Sequence, residues 1–284
     1  MKGGLFPGAI TQAGGKPLPF NRAIAMLDSG VGGLTVVREI FRQLPEERII
    51  YFGDTARMPY GPRPHQEVRR FAGEIIEFLC TQDIKMVVVA CNSASAEGFP
   101  QVSDIPILGV IKPGARAALQ STRNKKVGVI GTAGTISSGA YQKAIKALDP
   151  TVEVYTRACP LFVLIVENNL TEAPETLRVA EEYLAPLKEA GVDTLILGCT
   201  HYPLLEGVIA RVMGERVTLV NSARETARET REILKARSLL NPDPLGEREF
   251  RRGHRFYSSG PPGPFEEIGE KLLKQKVKAY RVLF

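Results

Sequence analysis

Leu195-Ile196-Leu197-Gly198-Cys199-Thr200-His201-Tyr202-Pro203 decides how the chain is read. Three apolar residues run into a glycine, and a thiol, a hydroxyl and an imidazole follow within three positions. A short apolar run closed by Gly reads as a buried strand ending in a turn. In open α/β sheets, ligands bind where strands end. Met86-Val87-Val88-Val89-Ala90-Cys91-Asn92-Ser93-Ala94-Ser95 has the same form: an apolar run delivers a cysteine, then an amide and hydroxyls.

Working outward, Ala23 to Leu27 is another buried-strand run, with Asp28-Ser29-Gly30-Val31-Gly32-Gly33 as its loop. Leu34 to Leu44 reads as a helix stopped at Pro45, and Arg48 to Phe52 as a strand. Glu67 to Thr81 is an amphipathic helix with Val68, Phe71, Ile75, Phe78 and Leu79 on one face. Ile105 to Val110 is a strand, and a helix follows through Leu119. The pattern then restarts with a strand at Lys126 to Ile130 and a loop at Gly131 to Thr135. Tyr141 to Leu148 is a helix, Val152 to Tyr155 a strand, Cys159 to Asn168 an apolar segment, and Glu175 to Ala190 a helix. The Cys199 strand, a helix from Leu204 to Met213 and a strand from Val217 to Val220 close this second series. Alternating strands and helices predict parallel α/β units. Leu27-Asp28-Ser29 corresponds to Ile130-Gly131-Thr132, and Cys91 to Cys199, as in a weak internal repeat. Two such lobes facing each other bring both strand-end cysteines into one cleft. The tail, from Ala223, holds a helix, a loop from Asn241 to Gly246, a strand near Arg255 to Tyr257 and a helix from Phe265 to Lys274. It is expected to pack on the first lobe.

The bulk numbers fit this reading. The chain has 284 residues, 44% hydrophobic and 24% charged, ordinary for a globular protein with one large or two modest domains. No apolar run approaches the roughly 20 residues of a membrane span. Met1 to Phe20, rich in Gly and Pro, lacks the apolar core of a signal peptide and reads as a flexible extension of a cytoplasmic protein. The net charge of +6 suits an anionic small molecule. Glutamates interleave the basic run Arg224 to Arg237, so it reads as a solvated helix face, and no nucleic-acid partner is expected. None of the four cysteines has the short paired spacing of a metal site.

Gly30-Val31-Gly32-Gly33 lacks the third glycine of a dinucleotide loop, since Thr35 stands at that position. Its glycines still let backbone N–H groups approach a carboxylate. Free Cys is often a core residue, and Cys80 and Cys159 are read that way. The polar residues that directly follow Cys91 and Cys199 favour chemistry for those two. His201 beside Cys199 is a candidate base or orienting group. His65 and His254 are assigned nothing. Asp28, Asp54 and Glu167 lie near segment ends, where a lone carboxylate is usually a cap.

Met26-Leu27-Asp28-Ser29-Gly30-Val31-Gly32-Gly33-Leu34-Thr35, Gly53-Asp54-Thr55-Ala56-Arg57 with Pro59-Tyr60-Gly61, Cys91-Asn92-Ser93-Ala94-Ser95 and Gly198-Cys199-Thr200-His201-Tyr202-Pro203 resemble the glutamate racemases, in order, from about Ile24 to the last helix. The resemblance implies an isomerase that interconverts L- and D-glutamate without a cofactor, supplying D-glutamate for peptidoglycan and so for cell shape. It implies two similar three-layer α/β lobes with mainly parallel sheets and the active site between them. The first lobe takes residues 21–115 plus 223–284 and the second 116–222, after an extension over 1–20. Cys91 and Cys199 match the two catalytic cysteines, with Asp28, Asp54, Glu167 and His201 expected to assist them. Asp28, Ser29, Pro59, Tyr60, Gly61, Asn92, Ser93, Thr132, Thr135, Thr200 and His201 match positions that hold the substrate. The family is commonly dimeric, which implies a homodimer. Two departures stand out: Ser93 where Thr is more usual, and Asn221 where Asp is usual.

Two cysteines suit the reaction. Racemisation removes the α-proton from one face and returns one to the other. Two bases avoid moving a base or turning the carbanion over: one thiolate accepts while the opposite thiol donates.

Overall fold

The computed structural model describes residues 20–99, 104–242 and 253–284. Nearly all of the expected extension over 1–20, and most of the loop from Asn241 to Gly246, lie outside them. The first series of elements is β1 (Ala23–Asp28), α1 (Leu34–Gln43), β2 (Ile49–Gly53), α2 (His65–Cys80), β3 (Ile84–Val89), α3 (Asn92–Ala96) and β4 (Ile107–Gly109). The second is α4 (Ile111–Ser121), β5 (Lys126–Gly131), α5 (Ala133–Ser137), α6 (Ala140–Leu148), β6 (Glu153–Ala158), α7 (Leu161–Glu167), α8 (Pro174–Glu189), β7 (Thr194–Gly198), α9 (Glu206–Met213) and β8 (Thr218–Asn221), with a 3₁₀ turn at Tyr202–Leu205 before α9. The tail supplies α10 (Ser222–Ala236), β9 (Arg255–Ser258), α11 (Pro262–Leu273) and β10 (Ala279–Arg281).

The strands form two sheets, ordered β10-β9-β2-β1-β3-β4 and β6-β5-β7-β8, and every pairing is parallel. Four adjacent strands of the first sheet, β2-β1-β3-β4, repeat the order of the whole second sheet. The repeat read from the sequence is therefore topological. β1 corresponds to β5 and β3 to β7, so Cys91 and Cys199 follow equivalent strands. In each sheet the chain leaves the first strand towards one side and later returns to the other. That reversal opens a crevice at the carboxyl ends of the strands.

Each sheet is covered on both faces, which explains its continuous apolar strands. Ile24, Met26, Met86 and Val88 face α1, α10 and α11, whereas Ala25, Leu27, Val87 and Val89 face α2. In the second lobe, Leu195 and Leu197 face α7, α8 and α9, and Ile196, Val127 and Val129 face α4 and α6. The tail does rejoin the first sheet: β9 pairs with β2, and β10 extends beyond it.

The boundary expected between 115 and 116 falls inside α4. Ile111, Ala115, Ala117 and Ala118 all belong to the second lobe's core, so the chain crosses ahead of Ile111 rather than within the helix. Lys85 interrupts the apolar run of β3 and is fully buried. It pairs with Glu47 at 2.5 Å and donates to the Leu239 carbonyl at 2.7 Å, tying the foot of the first sheet to the end of α10. No helix among the described residues is long and apolar enough to cross a membrane.

Candidate active site

The carboxyl ends of the two sheets face each other, and the loops leaving them enclose a narrow cleft. β1 delivers Ser29 and Gly30, β3 delivers Cys91, Asn92 and Ser93, and the loop after β2 delivers Met58, Pro59, Tyr60 and Gly61. Across the cleft, β5 delivers Thr132, β7 delivers Cys199, Thr200 and His201, and α7 delivers Val163 and Glu167. Both thiols are nearly enclosed, Cys91 at 4% and Cys199 at 5% exposure. Cys80 and Cys159 do not line the cleft.

The lobes meet through backbone that only glycine permits. A Cβ on Gly32 would lie 2.4 Å from Thr200 Oγ1 and 2.7 Å from the His201 ring. Gly134 N donates to the Gly61 carbonyl at 2.8 Å, and a Cβ on Gly61 would meet Thr132 at 2.8 Å. Side chains add to the seam. Ser93 Oγ and Thr132 Oγ1 stand 2.9 Å apart, and Thr35 Oγ1 donates to the Thr200 carbonyl at 3.0 Å.

The two thiols sit in different surroundings. Cys199 Sγ lies 3.7 Å from His201 Nδ1, and His201 Nε2 lies 3.2 Å from Glu167 Oε1. Burial alone presses the imidazole towards its neutral form. Its hydrogen bonds to Cys199 and Glu167, reinforced by the charges of Cys199 and Asp28, outweigh that and carry its pKa up to about 10. Cys91 differs. Burial and the charge of Asp28 push its pKa up to about 12, against N–H groups of Ala94 and Ser29 and the Ser29 hydroxyl, which favour the thiolate. The two thiols thus differ in what faces them: an imidazole held by Glu167 beside Cys199, and the buried Asp28 carboxyl beside Cys91.

α7 owes its position to Tyr202. The Tyr202 hydroxyl donates to the Cys159 carbonyl at 2.8 Å, and its ring meets Phe162 edge-on at 5.3 Å. The residues after Cys199 thereby hold the helix that carries Glu167.

Three of the expected site residues stand behind the cleft wall. Asp28 is fully buried under its loop, where Oδ2 accepts from Gly30 N at 3.1 Å and Gly33 N at 3.0 Å. It acts on Cys91 and His201 through its charge. Thr135 reaches the cleft through Thr132 Oγ1, 3.0 Å away, and Ser93 Oγ, 3.4 Å away. Asp54 has both oxygens taken: Oδ2 accepts from Arg57 Nε at 2.7 Å and from the Tyr60 hydroxyl, and Oδ1 from Ser259 Oγ at 2.6 Å. Asp54 thus holds Tyr60 in the cleft wall and does not itself face the thiols. Asn221 caps α10, accepting from Ala223 N at 3.0 Å, a task in which an amide oxygen serves as an Asp oxygen would. The sequence reading passed over Met58, Val163, Thr35 and Tyr141. Met58, Val163 and Tyr141 carry no motif signal, and Thr35, though inside the Met26–Thr35 stretch, shows its role only where it donates to the Thr200 carbonyl across the lobes.

Residues 24–230 match the pattern of the Asp/Glu/Hydantoin racemases. The chain belongs to that family. Within it, the glutamate racemase of Geobacter metallireducens is 52% identical over 259 residues, covering 90% of this chain and 94% of the relative. The crystal structure of a glutamate racemase isoform from Bacillus anthracis superposes with a TM-score of 0.86 at 45% identity, covering 92% of this chain and 97% of that one. The glutamate racemase of Francisella tularensis, solved in complex with D-glutamate, superposes with a TM-score of 0.82 at 35% identity, covering 93% and 98%. The family's two-lobed α/β fold is thus the fold of this chain, and the family match spans every cleft residue named above.

Proposed function

We propose that the protein interconverts L- and D-glutamate by two-base proton transfer between Cys91 and Cys199, without a cofactor. The observation that carries this reading is the pairing of two enclosed thiols on topologically equivalent strand ends that line one cleft, one of them 3.7 Å from the His201 imidazole. The identity to glutamate racemases over nine-tenths of the chain supports glutamate as the substrate.

Starting from L-glutamate, Cys199 as thiolate takes the α-proton, and Cys91 as thiol delivers its proton to the far face. The new S–H is on Cys199 and the new thiolate on Cys91. His201, backed by Glu167, compensates charge at Cys199, and the Ala94 and Ser29 donors do so at Cys91. The reverse reaction exchanges the two roles. Carboxylates of the substrate meet hydroxyls and N–H groups from Ser29, Asn92, Ser93, Thr132 and Thr200. The closed seam excludes water, so fixed dipoles stabilise the developing carbanion. In this reading the protein works as a homodimer in the cytoplasm, with no nucleic-acid partner, and its product feeds peptidoglycan assembly.

Deuterium labelling tests the mechanism. In heavy water, early D-glutamate formed from L-glutamate carries deuterium at Cα while recovered L-glutamate carries little. Product that mainly keeps its hydrogen points to a single base. Faster turnover of aspartate than of glutamate would assign the chain to another branch of its family.

A further inference from the structure

Tyr141 belongs to the second lobe, on α6, yet its hydroxyl reaches the residue that directly follows Cys91. It donates to Asn92 Oδ1 at 2.8 Å, and both side chains are buried. Nearby, the Ser222 hydroxyl donates to the Leu197 carbonyl at 3.0 Å, two residues before Cys199. The ring lies against the backbone of the other catalytic loop, since a Cβ on Gly198 would stand 3.1 Å from Tyr141 Cε2. Tyr141 thus touches the strand ends of both thiols, by its hydroxyl at Asn92 and by its ring at Gly198.

Asn92 lines the cleft, and its Nδ2 is buried with no hydrogen-bond partner. Buried donors are nearly always paired, and one left over at a binding cleft is available to a ligand's acceptor. Because the phenol donates, the amide turns its oxygen to Tyr141 and keeps its N–H₂ for the ligand. A flipped amide would present lone pairs to a carboxylate, replacing attraction with repulsion.

We propose that Tyr141 is a positioning residue for substrate binding: it fixes the Asn92 amide with its donor side towards a carboxylate of the amino-acid substrate. This rests on the glutamate reading above for the identity of the ligand. An amide donor to a carboxylate acts alike on bound substrate and transition state, so its loss raises KM more than it lowers kcat.

The test combines Tyr141→Phe, which keeps the ring and its contact with Gly198, with Asn92→Ala and the double variant. The readouts are KM and kcat in both directions and the Kd of D-glutamate by calorimetry. Tyr141→Phe is expected to raise KM and Kd about tenfold, within the range for a hydrogen bond to a charged group, with a smaller change in kcat. In the Asn92→Ala background the same substitution adds nothing. Asn92→Asp, which can still accept from Tyr141 but offers no donor, should weaken D-glutamate binding at least as much as Asn92→Ala. A purely structural phenol predicts equal penalties in both backgrounds. Equal penalties, a Kd within twofold of the intact protein, or tight binding to Asn92→Asp would each overturn the proposal. Failure of the racemase reading shows separately, as absent turnover in the intact protein, while the amide test is read from ratios of Kd.

Discussion

His201 Nδ1 lies 3.7 Å from Cys199 Sγ, and no such imidazole stands beside Cys91. The strand ends that carry the thiols are equivalent in topology but not in electrostatics. Under the proposed two-base mechanism a symmetric reaction would be run by an asymmetric pair, and the asymmetry can be measured.

Glu167→Gln keeps the shape of the His201 partner and removes its charge. The two enantiomers are equally stable, so kcat/KM must fall by the same factor in both directions. A loss of about tenfold to a hundredfold is expected for one charge-assisted hydrogen bond. The separate kcat values need not move together. We expect the larger fall for L-glutamate, whose proton Cys199 accepts in the proposed mechanism. Equal losses of kcat in both directions would remove Glu167 from service to one thiol.

His201 also links the site to stability. Its folded pKa, about 10, lies above the ordinary value of 6.5. Its contribution is full below about pH 6.5 and is lost as the pH rises through 10. Cys91, raised from 9.0 to about 12, adds a loss of the same sign at higher pH. The melting temperature of the intact protein should fall between pH 7 and 10, and that of His201→Asn should fall less over this window. Parallel curves for the two proteins would show that His201 does not carry the charge assigned to it.

Asp54 separates a holding role from a catalytic one. Arg57, Tyr60 and Ser259 use both of its oxygens, and the carboxylate is fully buried. Asp54→Asn puts an amide N–H₂ against donors and leaves Arg57 with Glu74 as its remaining carboxylate partner. A destabilisation of about 3–5 kcal/mol is expected, as when a buried pair loses one partner. The folded variant should show a raised KM through Tyr60 rather than loss of proton transfer. Measuring urea unfolding alongside deuterium exchange at Cα separates the two. Normal stability with abolished exchange would return Asp54 to the catalytic set.

What the sequence revealed follows from which features are local. Fully apolar runs such as Met86 to Val89 and Leu195 to Leu197 report strands buried on both faces. The glycine and polar residues that follow them report strand ends, so Cys91 and Cys199 were legible without any contact map. The order of strands within each sheet was not legible. β10 was missed because Ala279–Arg281 is too short to show a period, and one residue of it alone is buried. α7 read only as an apolar segment because Leu161 to Val166 has no polar face. Leu161 and Leu164 remain exposed on it. The boundary at 115 failed because α4 is an unbroken helix whose lobe is decided by packing, not by a linker. Asp54 looked like Asp28, an acid at a strand end, and only the position of Ser259 from the distant tail distinguishes them. Tyr141 carried no signal, since its hydroxyl meets Asn92 across the lobes.

The closest approach between the lobes gives the sharpest contrast between two glycines. Gly32 has Thr200 Oγ1 2.4 Å and the His201 ring 2.7 Å from where a Cβ would stand, both from the opposite lobe. Neither neighbour is a flexible side-chain end. Thr35 donates to the Thr200 carbonyl, and His201 is held between Cys199 and Glu167. Gly32→Ala must therefore part the lobes or turn His201 away from Cys199. Gly207, exposed in the first turn of α9, has nothing within 4 Å of a Cβ. Gly207→Ala should be neutral or stabilising by up to about 1 kcal/mol, because alanine is the better helix former. Gly32→Ala should lower kcat/KM by about a hundredfold or more, since displacements near 1 Å at a reacting centre cost that much. Both variants should fold, because each lobe keeps its own core. Circular dichroism of the two proteins together with racemisation rates decides the matter. Near-normal turnover in Gly32→Ala would show that the lobes work at a wider separation than the structure has.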